Sequence, residues 1–277
     1  MIHLNQEQLR ALQLVELELL TEFHRVCQKG NIRYTLTGGT LLGAVRHGGF
    51  IPWDDDSDVS MLREEYEKFL KACESELDTS KFYLQHMKNT PGYRWGYAKL
   101  RRKDTLFLRA NQEHMPYEQG IFMDIFPRDG VPDGAVARSI HKIECWCIRK
   151  TLWSAVGRVA HPNLWMRYWY SILYKISERY IYTLYDNLVR RSNKRDTKLV
   201  RNLTFPIPGG YNGYLREWYQ ENDFILFEGK SFMVNKRYRE WLTQEFGDYM
   251  KLPPKEKRKV HPIMEFRLQD SGCTDEE

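Results

Sequence analysis

Cysteine is scarce and badly spaced for chemistry in this chain of 277 residues. Cys27, Cys73, Cys145, Cys147 and Cys273 are odd in number, and only Cys145-Trp146-Cys147 is close. That pattern excludes a disulfide framework and a zinc ribbon, and predicts reduced thiols. No run of about 18 apolar residues occurs, so no spanning helix is expected. Met1 to Arg10 is polar and has no hydrophobic core of the kind a secretory leader carries, which predicts a cytoplasmic setting. No internal repeat is visible. The net charge of +5 is modest and accompanies no nucleic-acid-binding motif, so nucleic acid is not an expected partner. A mild basic excess suits phosphates, nucleotides or a membrane surface instead.

What the chain has is aromatic residues, at 14%, and alternating elements. Residues 5 to 29 read as a helix, with Asn5 and Gln8 as a capping box, apolar residues at helical spacing and Gly30 as a stop. A strand is predicted at Ile32 to Thr37, a Gly38-Gly39 turn behind it, and a short helix at Thr40 to Arg46. Ser57 to Met61 reads as a strand and Leu62 to Cys73 as a helix. Further strands are expected at Phe82 to His86, Trp95 to Leu100, Thr105 to Arg109 and Ile121 to Phe126, the last ending at Pro127. This alternation to about residue 130 predicts a mixed α/β core. Residues 135 to 204 read as helical, aromatic and basic, 205 to 230 as irregular, and 235 to 250 as helical. Ser271 to Glu277 is small and acidic and is expected to be disordered.

The segment from Gly38 to Val59 carries the chemistry. Asp54, Asp55, Asp56 and Asp58 put four carboxylates in five positions. On a strand, Asp56 and Asp58 point the same way, about 7 Å apart at the backbone, and suit a hard divalent cation. Asp124, set among Phe122, Met123, Ile125 and Phe126, is the candidate third acid, because a carboxylate between apolar strand residues needs a metal or a partner. A solvated acidic loop is the plainer alternative. An EF-hand is excluded because Val59 occupies the position that needs glycine. Gly38 and Gly39 would let backbone N–H groups approach a phosphate at a helix N-terminus, with Thr40 adding a hydroxyl. Arg46 is a candidate phosphate clamp, and Lys99 and Arg101 share one strand face from which they could neutralise phosphates.

The run Gly-Gly-Thr-Leu-Leu-Gly-Ala-Val-Arg-His-Gly-Gly-Phe-Ile-Pro-Trp-Asp-Asp-Asp-Ser-Asp-Val closely resembles the signature of the LicD family, which includes bacterial phosphocholine transferases and, as a eukaryotic relative, fukutin-related protein. The resemblance continues at Lys99-Leu100-Arg101, Phe122 to Pro127, Phe227 to Lys230 and Phe246 to Arg258. It implies an α+β, nucleotidyltransferase-like mixed sheet flanked by helices. The catalytic core would span 1–134, a helical insertion 135–204 and a C-terminal segment 205–270, followed by the tail 271–277. It implies a Mg²⁺ or Mn²⁺ site at Asp56, Asp58 and Asp124, and a donor-phosphate turn at Gly38, Gly39 and Thr40. The implied reaction moves phosphocholine from CDP-choline to a hydroxyl of a cell-envelope glycan, of teichoic acid or lipopolysaccharide type, releasing CMP. A ribitol, glycerol or mannosyl phosphate donor is the alternative, and a non-catalytic glycan-binding role is another. The chain departs from the family pattern at Ser57, where an apolar residue is usual, and after Arg258, where His261-Pro262 stands in place of adjacent histidines.

Choline is a quaternary ammonium, for which aromatic faces are the usual ligand. Trp53, Tyr93, Trp95 and Tyr97 are the candidates by sequence. The basic aromatic stretch 135–204 suits peripheral contact with the inner face of a membrane, where a lipid-linked acceptor would reside.

Overall fold

Asn5 opens the first helix, α1 (Gln6–Lys29), through the expected capping box: its side chain accepts from the Gln8 N–H while the Gln8 side chain accepts from the Asn5 N–H. The apolar stripe of Leu12, Leu19, Phe23 and Val26 is buried, and Gly30 ends the helix. The computed structural model describes residues 1–254, 256, 258 and 260–268, so the expectation for 271–277 lies outside the described residues.

In chain order follow β1 (Thr35–Leu36), α2 (Gly38–His47), β2 (Asp58–Leu62), α3 (Arg63–Glu76), β3 (Phe82–Gln85), β4 (Ala98–Arg102), β5 (Leu106–Arg109) and β6 (Phe122–Val131). Helices α4 (Ala135–Ala160), α5 (Leu164–Tyr174) and α6 (Glu178–Ser192) come next. The chain then forms β7 (Leu199–Arg201), β8 (Tyr214–Leu215), β9 (Asn222–Phe227), β10 (Lys230–Asn235), α7 (Tyr238–Phe246) and β11 (Ile263–Arg267). The main sheet runs β1-β2-β6-β4-β3, with β7 added to β6 and β8 to β7. Only the β2–β6 pairing is parallel within it, so the sheet is mixed and the protein is α+β, with helices flanking the sheet. The main core joins α1, α2 and α3 to the sheet and to the β9–β10 hairpin. A second cluster, including Cys145, Leu152, Tyr185 and Leu188, lies between α4 and α6. Among the described residues no helix is long and apolar enough to cross a membrane.

The structure corrects several sequence expectations. Gly38 and Gly39 are not a turn ahead of a helix but its first two residues. The strand expected from Ser57 begins at Asp58, leaving Asp56 in the approach loop. Strand β6 does not stop at Pro127. The Asp124 N–H bonds to Ser57 on the β2 side, so Pro127 presents its nitrogen to the opposite side. There β4 pairs only as far as Ile125 and β7 begins only at Asp129, so the missing N–H of Pro127 breaks no ladder bond. Residues 135–204 hold α4, α5 and α6 joined by short loops, and then β7, and 205–230 is not irregular throughout. It holds β8 and β9, and Glu228 and Gly229, both at positive φ, turn β9 into β10.

Candidate active site

Strand register gathers the charged residues. Asp58 pairs with Asp124 across the parallel β2–β6 ladder, and Lys99 on β4 pairs with Asp124 from the other side. Residues in register point to the same face of a sheet, so Asp58, Asp124 and Lys99 form one row across three strands. Lys99 and Asp124 are both buried and joined as an ion pair. Burial pulls the Lys99 ammonium down to about 7, against the opposing pull of Asp124. The ring of Phe122 lies 3.4 Å from that ammonium, measured to its centre.

The start of α2 abuts this row. Gly38 sits at φ +58°, and a Cβ there would lie 2.9 Å from the Asp58 Oδ2. A Cβ on Gly39 would lie 2.4 Å from the Asp54 Oδ2. Glycine is therefore what lets two carboxylates approach the helix N-terminus, whose dipole favours negative charge. The Thr40 hydroxyl accepts from the Asp58 N–H at 2.8 Å and so fixes the first residue of β2. The turn that the sequence reading gave to a donor phosphate is, in this structure, the seat of Asp54 and Asp58.

Asp56 faces different partners. Arg109, at the end of β5, donates to it at 3.3 Å. The buried Asp55 accepts from the His261 backbone N–H at 3.1 Å and bonds the His261 Nδ1 at 2.7 Å. Asp55, Asp56 and His261 bring potential ligand atoms within 4.8 Å of one another. The strand β11 that follows His261 pairs with β5, which is how residues 152 positions apart meet.

Burial and mutual repulsion dominate the electrostatics. Burial first, then Asp56 and Asp124, holds the Asp58 carboxyl well above the ordinary carboxylate range. Asp54 is raised in the same way, by burial and then by Asp56 and Asp55. Burial also raises Asp56, which Arg109 and His261 partly offset. Beneath the loop, Glu16 of α1 is buried, and its Oε2 has no hydrogen-bond partner among the described residues. Burial, then Asp56, Asp55 and Asp54, keeps it well above its usual range. Crowded oxygen donors such as Asp54, Asp56 and Asp58, whose charge is unfavourable as they stand, are the chemistry a hard divalent cation relieves.

Other predicted residues are placed elsewhere. Arg46 stands at the far end of α2, about 12 Å along the helix from Gly38, and donates to the Tyr249 carbonyl at 2.9 Å. Arg101 is buried and gives its donors to Gln85 and the Gly120 carbonyl, at 2.7 and 2.6 Å. Arg258 lies 4.0 Å over the ring of Trp53, so a cation already covers that face. Tyr93 is fully buried. Trp95 and Tyr97, by contrast, line a cavity of about 450 Å³ together with Trp153 and Phe205. Three cations also line it, Arg94, Arg149 and Lys150; Arg94 donates to Ser154 and the Ile176 carbonyl, and Lys150 to Tyr170. Tyr97 also lies 5.4 Å from the Lys99 ammonium, which sets the cavity beside the aspartate row.

Glu16, Arg109 and His261 were not assigned to the site by the sequence reading. Glu16 had a local signal, an acid inside the apolar stripe between Leu12 and Leu19. Arg109 and His261 had none, because the β5–β11 pairing that joins them is long-range.

Comparison with known proteins adds three findings. The profile of the LicD/FKTN/FKRP nucleotidyltransferase domain matches residues 31–136. The chain is 35% identical over 272 residues to the lipopolysaccharide cholinephosphotransferase LicD of Haemophilus influenzae, covering 93% of this chain and 97% of that protein. It is 50% identical over 40 residues to the human ribitol 5-phosphate transferase FKRP, a stretch that is 14% of this chain and 8% of that one.

Proposed function

The chain belongs to the LicD family, and from that premise we propose that it is a LicD-type phosphocholine transferase. Its donor is CDP-choline, its acceptor is a hydroxyl of a cell-envelope glycan of lipopolysaccharide or teichoic acid type, and CMP is released. The observation that carries this reading is the end-to-end similarity to a lipopolysaccharide cholinephosphotransferase. We read the mixed sheet as nucleotidyltransferase-like, with the core in 1–134, a helical insertion at 135–204 and a completing segment at 205–270. The enzyme works on the cytoplasmic side of the membrane.

In this mechanism Asp56 and Asp58, with Asp124 as the third candidate ligand, would hold Mg²⁺ or Mn²⁺, which would supply charge neutralisation to the pyrophosphate of the donor. The acceptor oxygen attacks the phosphorus that carries choline, the bond to the bridging oxygen breaks, and CMP leaves with that electron pair. Asp124 either ligates metal while the acceptor hydroxyl ionises or, free of metal, takes the hydroxyl proton as general base, and its ion pair with Lys99 keeps the carboxylate oriented. Arg109 holds Asp56 in place from β5. Gly38 and Gly39 keep the helix N-terminus close to the acids.

The test is CMP release from CDP-choline with Mg²⁺, with and without EDTA, in the presence of an envelope glycan fraction. Release that needs both metal and acceptor is the expected result. Release from CDP-ribitol or CDP-glycerol alone would move the donor and keep the reaction, the outcome that the resemblance to a ribitol 5-phosphate transferase makes worth testing.

The cavity beside Tyr97 is our candidate seat for choline. Replacing Trp95 by leucine removes one aromatic face and is expected to raise the KM for CDP-choline roughly tenfold. Inhibition by CMP, which lacks choline, should stay unchanged. Trp53→Leu should leave both values alone, because Arg258 already covers that ring. If Trp95→Leu weakened CMP equally, the cavity would hold the base instead.

A further inference from the structure

Helices α4 and α5 pack together as a hairpin, and each carries apolar residues left exposed among the described residues. On α4, Val136, Ile140 and Ile143 recur at helical spacing and are 77%, 55% and 63% exposed. On α5, Leu164, Trp165 and Tyr168 are 75%, 81% and 66% exposed, and Ile172 continues their face. Burying such residues on folding is the rule for a helix that packs inward, so a face this apolar needs an apolar phase outside the chain.

Charge selects the phase. Residues 135–175 carry seven Lys and Arg against one acid, Glu144, and that acid is paired with Arg191. A second copy of the chain would bring two segments of the same positive net charge together across a two-fold axis. An anionic bilayer accepts both the cations and the tryptophans, which favour the headgroup level. We propose that the α4–α5 hairpin is a membrane-docking device that lies in the surface of an anionic bilayer. Further along α4, Trp153 and Lys150 line the cavity beside Tyr97, so docking of the hairpin brings that cavity towards the lipid. A lipid-linked hydroxyl acceptor is then presented in the plane where the hairpin rests. This purpose rests on the transferase reading, but the docking itself does not.

The full chain is sedimented with vesicles of phosphatidylcholine containing phosphatidylglycerol, and with phosphatidylcholine alone. The expected result is partition onto the anionic vesicles only, weakened by salt, with a blue shift of tryptophan emission. Trp165→Glu and Ile140→Glu should each reduce that partition about tenfold or more, with the far-ultraviolet circular dichroism unchanged. No partition onto anionic vesicles would overturn the proposal, as would a dimer in solution that the same two substitutions dissolve. Vesicle binding is read without turnover, so failure of the transferase reading would leave it standing.

Discussion

Asparagine in place of Asp58 or Asp124 is expected to reduce CMP release by roughly a hundredfold to a thousandfold while the protein remains folded. The two side chains sit in register on neighbouring strands, so each change removes one oxygen charge from the same row without altering its shape. The stability readout separates a functional role from a structural one. Asp58 is held well above the ordinary carboxylate range by burial and by Asp56 and Asp124, so its negative charge costs the metal-free protein stability. Asp58→Asn should therefore leave the Tm of the metal-free protein unchanged or raised, the pattern of a residue kept for chemistry at the expense of stability. Asp124→Asn differs in one respect: Lys99 loses its buried partner, and some loss of Tm is expected there. Asp104→Asn, at an exposed position of positive φ that asparagine tolerates, is the control. A fully active Asp58→Asn protein would remove the metal assignment.

Arg63→Met is expected to destabilise the fold by about 3–5 kcal/mol, which for a chain of this size lowers Tm by about 10 °C. Arg63 is the first residue of α3, and its Nε and Nη2 reach the two oxygens of Asp129 at 2.7 and 2.8 Å. Asp129 lies on β6 and is fully buried. The same carboxylate accepts from the Asn193 side chain at 2.6 Å, and Arg63 also donates to the Tyr185 hydroxyl at 3.2 Å. One charge pair thus ties α3, the sheet and α6 together. Removing the guanidinium strands a buried carboxylate, which costs far more than the pair contributes net. The double change Arg63→Met with Asp129→Leu should recover much of the loss, because neither charge is then buried alone. Denaturant melts of the two variants decide the matter. A single Arg63→Met within about 1 kcal/mol of the parent, the worth of one buried hydrogen bond, would mean that water reaches Asp129.

The parts legible in the sequence were those with a local cause. The capping box at Asn5 and Gln8 needs only residues three apart, and it formed as expected. The acids of 54–58 and Asp124 stood out because charge is rare on apolar strands, and two of them meet in register. Local signals misplaced Asp56, since alternation cannot say where a strand begins. They also ended β6 at Pro127, although the break is harmless where the strand changes neighbours. Arg46 on the short helix and Arg101 on the strand face of Lys99 read as phosphate ligands, and in the structure Arg46 donates to the Tyr249 carbonyl and Arg101 to Gln85 and the Gly120 carbonyl.

By itself, then, the amino-acid order determined the helices, the strands up to β6, the family and the clustered acids. Each of these depends on neighbours within a turn or two, or on a long contiguous signature. Tertiary structure alone decided which charges share a site. The parallel β2–β6 pairing set Asp58 beside Asp124, and the antiparallel β4 brought Lys99 to them. The β5–β11 pairing carried Arg109 and His261 to Asp56 and Asp55, and burial under the loop left Glu16 facing them. Such meetings are fixed by chain crossings over many tens of residues, where the gain from sheet pairing and core burial outweighs the entropy of closing the loop.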